Sequence, residues 1–153
     1  MTETAVLTIR RAREDDLSAI VAMLADDPLG AGRESPDDLT AYRPAFTRVD
    51  GDPNQHLVVA ERAGRVIGTL QLTLVPGLSR KGATRVIIEA VRIHTDERGS
   101  GLGTELIQWA VERSRELGAD LVQLTSDASR TDAHRFYQRL GFVPSHLGFK
   151  LKV

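Results

Sequence analysis

Arg98-Gly99-Ser100-Gly101-Leu102-Gly103-Thr104 joins two runs of different periodicity. Before it, residues 83–94 are rich in Val and Ile and read as a long strand. After it, Leu102, Leu106, Trp109, Ala110, Arg113 and Leu117 line one side of a helix that Gly118 terminates. Three glycines in five residues between a strand and a helix let the backbone approach a ligand without a Cβ in the way. The free N–H groups and the dipole of the following helix attract an anion. The turn therefore reads as a pyrophosphate cradle, with a flexible loop and helix cap as the plainer alternative.

One nucleotide motif is excluded at this turn and a second, that of a nicotinamide-binding protein, is disfavoured but stays open. A P-loop ends in Gly-Lys-Ser/Thr, and here Thr104 follows Gly103 with no Lys. A dinucleotide fingerprint needs Gly-x-Gly-x-x-Gly and an acid ending the next strand. The spacing here is Gly-x-Gly-x-Gly, and Asp120 begins the next strand instead.

Working outward, Val6-Leu7-Thr8-Ile9 predicts a first strand, and Leu17, Ile20, Val21 and Leu24 the stripe of a first helix. Ser35-Pro36-Asp37-Asp38 predicts the start of a second helix with Leu39, Tyr42 and Phe46 on its buried face. Residues 56–60 and 66–74, separated by Arg62-Ala63-Gly64-Arg65, predict a hairpin, which the run 83–94 extends to a three-stranded antiparallel meander. Leu121-Val122-Gln123-Leu124-Thr125 reads as a short buried parallel strand. Ala133, Phe136, Tyr137 and Leu140 mark a last helix ended by Gly141, and residues 147–153 alternate as a final strand. The fold class is α+β with a mixed sheet, in one domain over residues 1–153.

Composition narrows the function. With 153 residues the chain suits a single domain. The absence of cysteine excludes disulfide frameworks, thiolate metal sites and cysteine nucleophiles. No run of about 18 apolar residues occurs, so the expectation is a cytoplasmic protein with no membrane partner. A net charge of −1 argues against a nucleic-acid binder. That near-zero total conceals a split: residues 14–53 carry ten acids and three bases, net −7, whereas residues 54–153 are net +4.

The glycine turn resembles the acyl-CoA motif of the GNAT N-acetyltransferases, whose pattern is Arg or Gln, two residues, Gly, one residue, then Gly or Ala. Arg98-Gly99-Ser100-Gly101-Leu102-Gly103 matches it in full. The strand ending Glu89-Ala90-Val91-Arg92-Ile93-His94 and the distal segment Ala133-His134-Arg135-Phe136-Tyr137-Gln138-Arg139-Leu140-Gly141-Phe142 stand in the family's order. The resemblance implies a single-domain bacterial-type member with a mostly antiparallel sheet, a splayed parallel strand pair and about four flanking helices. It implies transfer of an acetyl group from acetyl-CoA to a primary amine of a small molecule or peptide, directly in a ternary complex and without a metal. A non-catalytic acyl-CoA sensor is the alternative, and a homodimer is a further expectation.

Carried over residue by residue, the resemblance places pantetheine along Val91-Arg92-Ile93, with backbone bonds from Val91 and Ile93. It places the pyrophosphate on the amides of Arg98, Gly99, Ser100, Gly101, Leu102, Gly103 and Thr104. The family's frequent pantetheine-binding Asn is Arg130 here, which could reach a coenzyme phosphate instead. Tyr137 matches the general acid that protonates the leaving thiolate, since a phenol of pKa about 10 holds its proton at neutral pH. On its residues alone, Tyr137 reads rather as a half-buried core tyrosine, and it is the family order that favours the acid. An amine acceptor must lose a proton, and only about one alkylammonium in 10³ is neutral at pH 7. Glu89, an acid among Val86-Ile87-Ile88 and Ala90-Val91, is the candidate base if it is buried, and otherwise a solvent-facing or ion-paired acid. His94 reads as a proton relay or a structural strand end. The acidic segment, with Asp26, Asp27, Glu34, Asp37 and Asp38, is either the wall of a site for a cationic acceptor or a solvated face.

Overall fold

The computed structural model describes residues 5–153. Among these, one sheet has the order β1 (Thr8–Arg11), β2 (Gln55–Arg62), β3 (Arg65–Pro76), β4 (Thr84–Ile93), β5 (Leu121–Leu124). All neighbours are antiparallel except β4 and β5, which are parallel. Four helices of nine residues or more flank it: α1 (Leu17–Ala25), α2 (Tyr42–Asp50), α3 (Leu102–Glu116) and α4 (Thr131–Arg139). The expected α+β mixed sheet, with its meander and one parallel pair, is the fold.

Strand alternation divides the sheet into two faces. Leu70 and Leu72 of β3 and Val86 and Ile88 of β4 are buried on one side, against Leu102, Leu106, Ile107 and Ala110 of α3. Burying each such aliphatic side chain contributes about 1.5–3 kcal/mol, which makes α3 the main clamp on the sheet. On the other side a smaller cluster joins Val59 to Ala12 and Ile20, with Leu24 and Phe46 packed against it. The β2–β3 hairpin turns on Ala63 and Gly64, both at positive φ (52° and 75°), as a two-residue turn that follows the sheet twist requires.

Three local expectations are corrected. The first strand lies at Thr8–Arg11 rather than at 6–9, where Arg10 donates to Glu61 on β2 (2.6 Å) and to Asp16 (2.8 and 3.0 Å). The second helix starts at Tyr42, not at Ser35. Ser35 Oγ donates to the Asp38 carbonyl (3.2 Å), and Asp38 Oδ1 accepts from the Thr40 amide (3.0 Å), so both polar side chains hold a local turn instead of capping a helix. Residues 147–153 belong to no strand, and their apolar side chains face solvent.

Candidate active site

The decisive local feature is a bulge in β4. Gln71 of β3 pairs with Glu89, but Thr69 pairs with Arg92, so β4 carries an extra residue here, and Ala90 takes φ 53°. A left-handed Ala costs roughly 1–2 kcal/mol, and the flanking ladder holds it in place. The bulge changes the strand's phase: Val86 and Ile88 face the α3 core before it, and Val91 and Ile93 pack on the same core after it. It also coincides with the end of pairing to β5, whose last partners are Ile88 and Leu124. Beyond that point the His94 amide donates to the Ile67 carbonyl (2.8 Å), directing residue 94 toward β3. By strand alternation the amides and carbonyls of Val91 and Ile93 point the opposite way, into the gap left by β5.

The gap leads to the glycine turn. Gly99 and Gly101 have φ 82° and 86°, and a Cβ on either would meet nothing within 4 Å, so both give the turn its left-handed conformation and leave open space above it. Ser100 donates its amide to Glu97 O (3.3 Å) and its Oγ to the same oxygen (2.5 Å), and the Arg98 amide donates to Thr95 O (3.3 Å). Two of the seven amides assigned to the pyrophosphate are therefore occupied by the turn itself. The amides of Gly101, Leu102, Gly103 and Thr104 make no such bond, as expected for the N-terminus of the 15-residue α3. Gly103 lies against the Phe136 ring of α4, where a Cβ would stand 3.5 Å from it. Arg98 turns away to the end of α1, donating to the Asp26 carbonyl (3.0 Å), and Thr95 donates to the Asp26 carboxylate.

On the far side of the gap, Tyr137 of α4 packs edge-on against Phe136 and Phe142, with ring centroids 5.1 and 5.8 Å away. Burial pushes its phenol above the ordinary value, against the opposing charges of Arg130 and Arg92, so the proton is held more firmly. Arg92 crosses the mouth: Nη1 donates to the Val91 carbonyl (2.8 Å), and Nε stands 3.0 Å from Asp27 Oδ2 without the alignment of a hydrogen bond. Burial raises the Asp27 carboxyl, but the Gly30 amide (2.5 Å), Arg92, the Leu29 amide and Arg130 outweigh it and hold it below the usual range. That turn needs glycine, because a Cβ at Gly30 would fall 1.8 Å from the Leu24 carbonyl oxygen.

Glu89 is exposed, so the burial expected of it is absent. It stands opposite Gln71 on the face away from α3, where Gln71 and Thr73 both donate to Gln55 Oε1 (2.7 and 2.8 Å). Most acids of the net-negative segment are engaged locally. Asp16 binds Arg10, Asp26 binds Thr95, Asp27 receives the Gly30 amide, Glu34 accepts from Tyr42, and Asp50 binds Arg11. His94 accepts from the Asp96 amide (3.1 Å) and neighbours Arg65, a structural role. Among the described residues no cluster of three or more His, Cys, Asp or Glu is placed to hold a metal ion, and no helix is long and apolar enough to cross a membrane.

The structure therefore brings Val91, Arg92, Ile93, the glycine turn, Arg130 and Tyr137 around one gap, and leaves Glu89 on the neighbouring polar face. Sequence reasoning missed three features. The bulge was visible only as a slip, three residues from Ile88 to Val91 where a strand takes two. The Arg92–Asp27 pair spans 65 positions and leaves no local trace. The Ser126 hydroxyl, just past β5, is buried without a partner. Free helix amides, open space over the glycines and an unpaired strand edge together suit a long ligand with a pyrophosphate and an amide-bearing arm.

The family model described as "Acetyltransferase (GNAT) family" matches residues 11–142. The chain belongs to this acetyltransferase family. GNAT members generally use acetyl-CoA as donor, and the chain is an acyltransferase of this family. It is 33% identical over 144 residues to an aminoalkylphosphonate N-acetyltransferase of Salmonella typhimurium, covering 94% of this chain and 90% of that one. It is 30% identical over 147 residues to a glucosamine 6-phosphate N-acetyltransferase of Trypanosoma brucei brucei, covering 93% and 92%. Among solved structures, a protein of Bacillus halodurans C-125 described as a transcriptional regulator superposes with TM-score 0.93 at 45% identity, covering 97% of this chain and 100% of that one.

Proposed function

We propose that this GNAT protein moves the acetyl group of acetyl-CoA directly to a primary amine of a small molecule, both substrates being bound together. The observation that carries the reading is the bulge-opened gap, which runs from the backbone of Val91 and Ile93, free of the strand ladder on this side, to the free amides of residues 101–104, with the Tyr137 phenol beside it. Acetyl-CoA supplies the activated acyl carbon. Val91 and Ile93 hold its arm by backbone hydrogen bonds, and the turn and the α3 N-terminus hold its pyrophosphate, with Arg130 at the mouth adding positive charge. The amine nitrogen bonds to the acyl carbon, the carbon–sulfur bond breaks, Tyr137 gives its proton to the departing sulfur, and the second proton, shed by the newly acylated nitrogen, restores the Tyr137 phenol. Glu89 is exposed on the neighbouring polar face, so the proton that the ammonium loses reaches it only through water.

For the acceptor, two lines of support favour an amine that also bears an anionic group. Arg92 and Arg130 both stand near Tyr137 and share the one carboxylate of Asp27, which leaves the mouth a net positive charge, and most acids of residues 14–53 are engaged in bonds of their own. Two relatives are named for amines bearing phosphonate or phosphate. The second reading, a cationic acceptor, rests on the net −7 of residues 14–53.

An acceptor panel that follows free-CoA release, with aminoalkylphosphonates, glucosamine 6-phosphate, a polyamine and an aminoglycoside, tests both. Turnover with the anionic amines supports the first reading, and a clear preference for the polyamine or aminoglycoside supports the second. Acetyl-CoA binding without CoA release from any amine would identify a sensor instead.

A further inference from the structure

The Arg92 guanidinium is held on one edge and idle on the other. Arg92 lies between Val91 and Ile93, which pack on the α3 core, so its side chain leaves the sheet on the opposite face, toward the end of α1. Nη1 donates to the Val91 carbonyl (2.8 Å), an oxygen that points into the gap and keeps a second lone pair for a coenzyme amide. Nε lies on the other edge of the planar fork, together with Nη2. It is buried without a hydrogen bond, although Asp27 Oδ2 stands only 3.0 Å away.

That carboxylate is near enough for charge attraction but is not aligned for the side-on bond that an arginine makes with an oxyanion. Asp27 is oriented by another partner: its Oδ1 takes the Gly30 amide (2.5 Å), in a turn where a Cβ at Gly30 would strike the Leu24 carbonyl oxygen. The turn fixes Asp27, so the pair does not tighten by itself. With 16% of its side chain exposed, Arg92 is dry enough to feel the missing bond and open enough for a small anion to reach it. Arg130 adds charge at the same place, since it stands close enough to lower both the Asp27 carboxyl and the Tyr137 phenol. A buried donor edge, a misaligned internal carboxylate and a second cation thus meet beside Tyr137.

We propose that the Nε and Nη2 edge of Arg92 is the receptor for the acceptor's anionic group, and that Asp27 is an internal stand-in which the incoming oxyanion displaces. This rests on the anionic-acceptor reading above and adds the residue that reads the anion. The Nη1 bond fixes the receptor to the strand that carries the acyl arm, beside Val91 itself. The anion and the amine of the acceptor are then joined by a short spacer, so that the nitrogen reaches the acyl carbon beside Tyr137.

Propylphosphonate, which has no amine to acylate, probes the receptor alone. Calorimetry with acetyl-CoA present is expected to show it bound, and Arg92→Met, which keeps the aliphatic stem, to weaken that binding by about 10- to 100-fold, as for a lost charge-assisted bond. Asp27→Asn, which keeps an oxygen for the Gly30 amide, is expected to tighten it severalfold. In turnover, the ratio of kcat/KM for aminoethylphosphonate to that for propylamine is expected to fall in Arg92→Met by about the same 10- to 100-fold. Propylamine reports the fold and the acyl transfer without the anion, so a ratio that holds while both rates drop would make Arg92 a structural residue and overturn the proposal. Absence of propylphosphonate binding, binding unchanged in Arg92→Met, or binding weakened in Asp27→Asn would also overturn it, with wild-type turnover of aminoethylphosphonate showing that the function still stands. Turnover of only the polyamine or the aminoglycoside would instead overturn the anionic-acceptor reading, and the receptor with it.

Discussion

The two halves of β4 are similar in composition and opposite in use. Residues 85–88 pair on both sides, with β3 and with β5, and bury Val86 and Ile88 in the core. Residues 89–93 pair with β3 alone, and their other edge opens on the gap where acyl-CoA is proposed to bind. One residue separates the two uses. The left-handed Ala90 re-phases the strand, so Val91 and Ile93 still anchor on the core while their backbone groups are freed from the ladder. Hydrogen-bonding capacity that the first half commits to stability is kept by the second half for a ligand, and the core contacts on the opposite face limit the cost.

This division predicts that substitutions separate into those that change activity and those that change stability. The largest effect belongs to the open side: Tyr137→Phe is expected to lower kcat by roughly 10²–10⁴ with little change in melting temperature. A variant that turns over normally with a good acceptor would remove the proposed general acid. On the closed side, Ile88→Ala is expected to cost about 2–5 kcal/mol in urea unfolding, while the folded fraction still binds acetyl-CoA. Loss of binding without loss of stability would mean that the halves are not separable at the bulge.

Next in size is an acid effect outside the gap. The bond to Arg10, with the Arg13 amide assisting, outweighs burial and holds Asp16 below the ordinary carboxylate range. Its folded value lies below its unfolded one, so the stabilisation is complete above about pH 4 and is lost as pH falls through the folded value. Asp16→Asn should flatten the acid limb of a stability-versus-pH curve and leave the pH dependence of kcat/KM unaltered. The smallest effect is at the pivot. Ala90→Gly relieves left-handed strain but adds unfolded-state freedom, and the two nearly cancel, for a net change within about 1 kcal/mol. Equilibrium unfolding measures that change, and a loss much larger than this would show that the Ala90 methyl packs in a way its φ does not reveal.

The legibility of the molecule followed the range of the interactions. The glycine turn was readable because only glycine relieves the steric penalty at φ 82° and 86°, and α3 because its stripe repeats within one helix. Tyr137 was readable as a half-buried tyrosine in a familiar order, but its two arginine neighbours were not. Ser35-Pro36-Asp37-Asp38 misled because Ser and Asp serve a tight turn as readily as a helix cap, and the surrounding packing selects between them. Glu89 misled because strand parity tells which residues share a face but not whether a helix covers it.

The sequence by itself determined the order of elements from β1 to α4, the two-faced sheet, the glycine turn that opens α3 and the absence of thiol chemistry, because periodicity, glycine backbone freedom and residue chemistry act within a few positions along the chain. The tertiary structure alone decided where β4 parts from β5, that Arg92 reaches Asp27 across the mouth, and that residues 147–153 stand free of their own sheet. Each depends on partners many residues apart, whose meeting is set by packing of the whole chain rather than by any local preference.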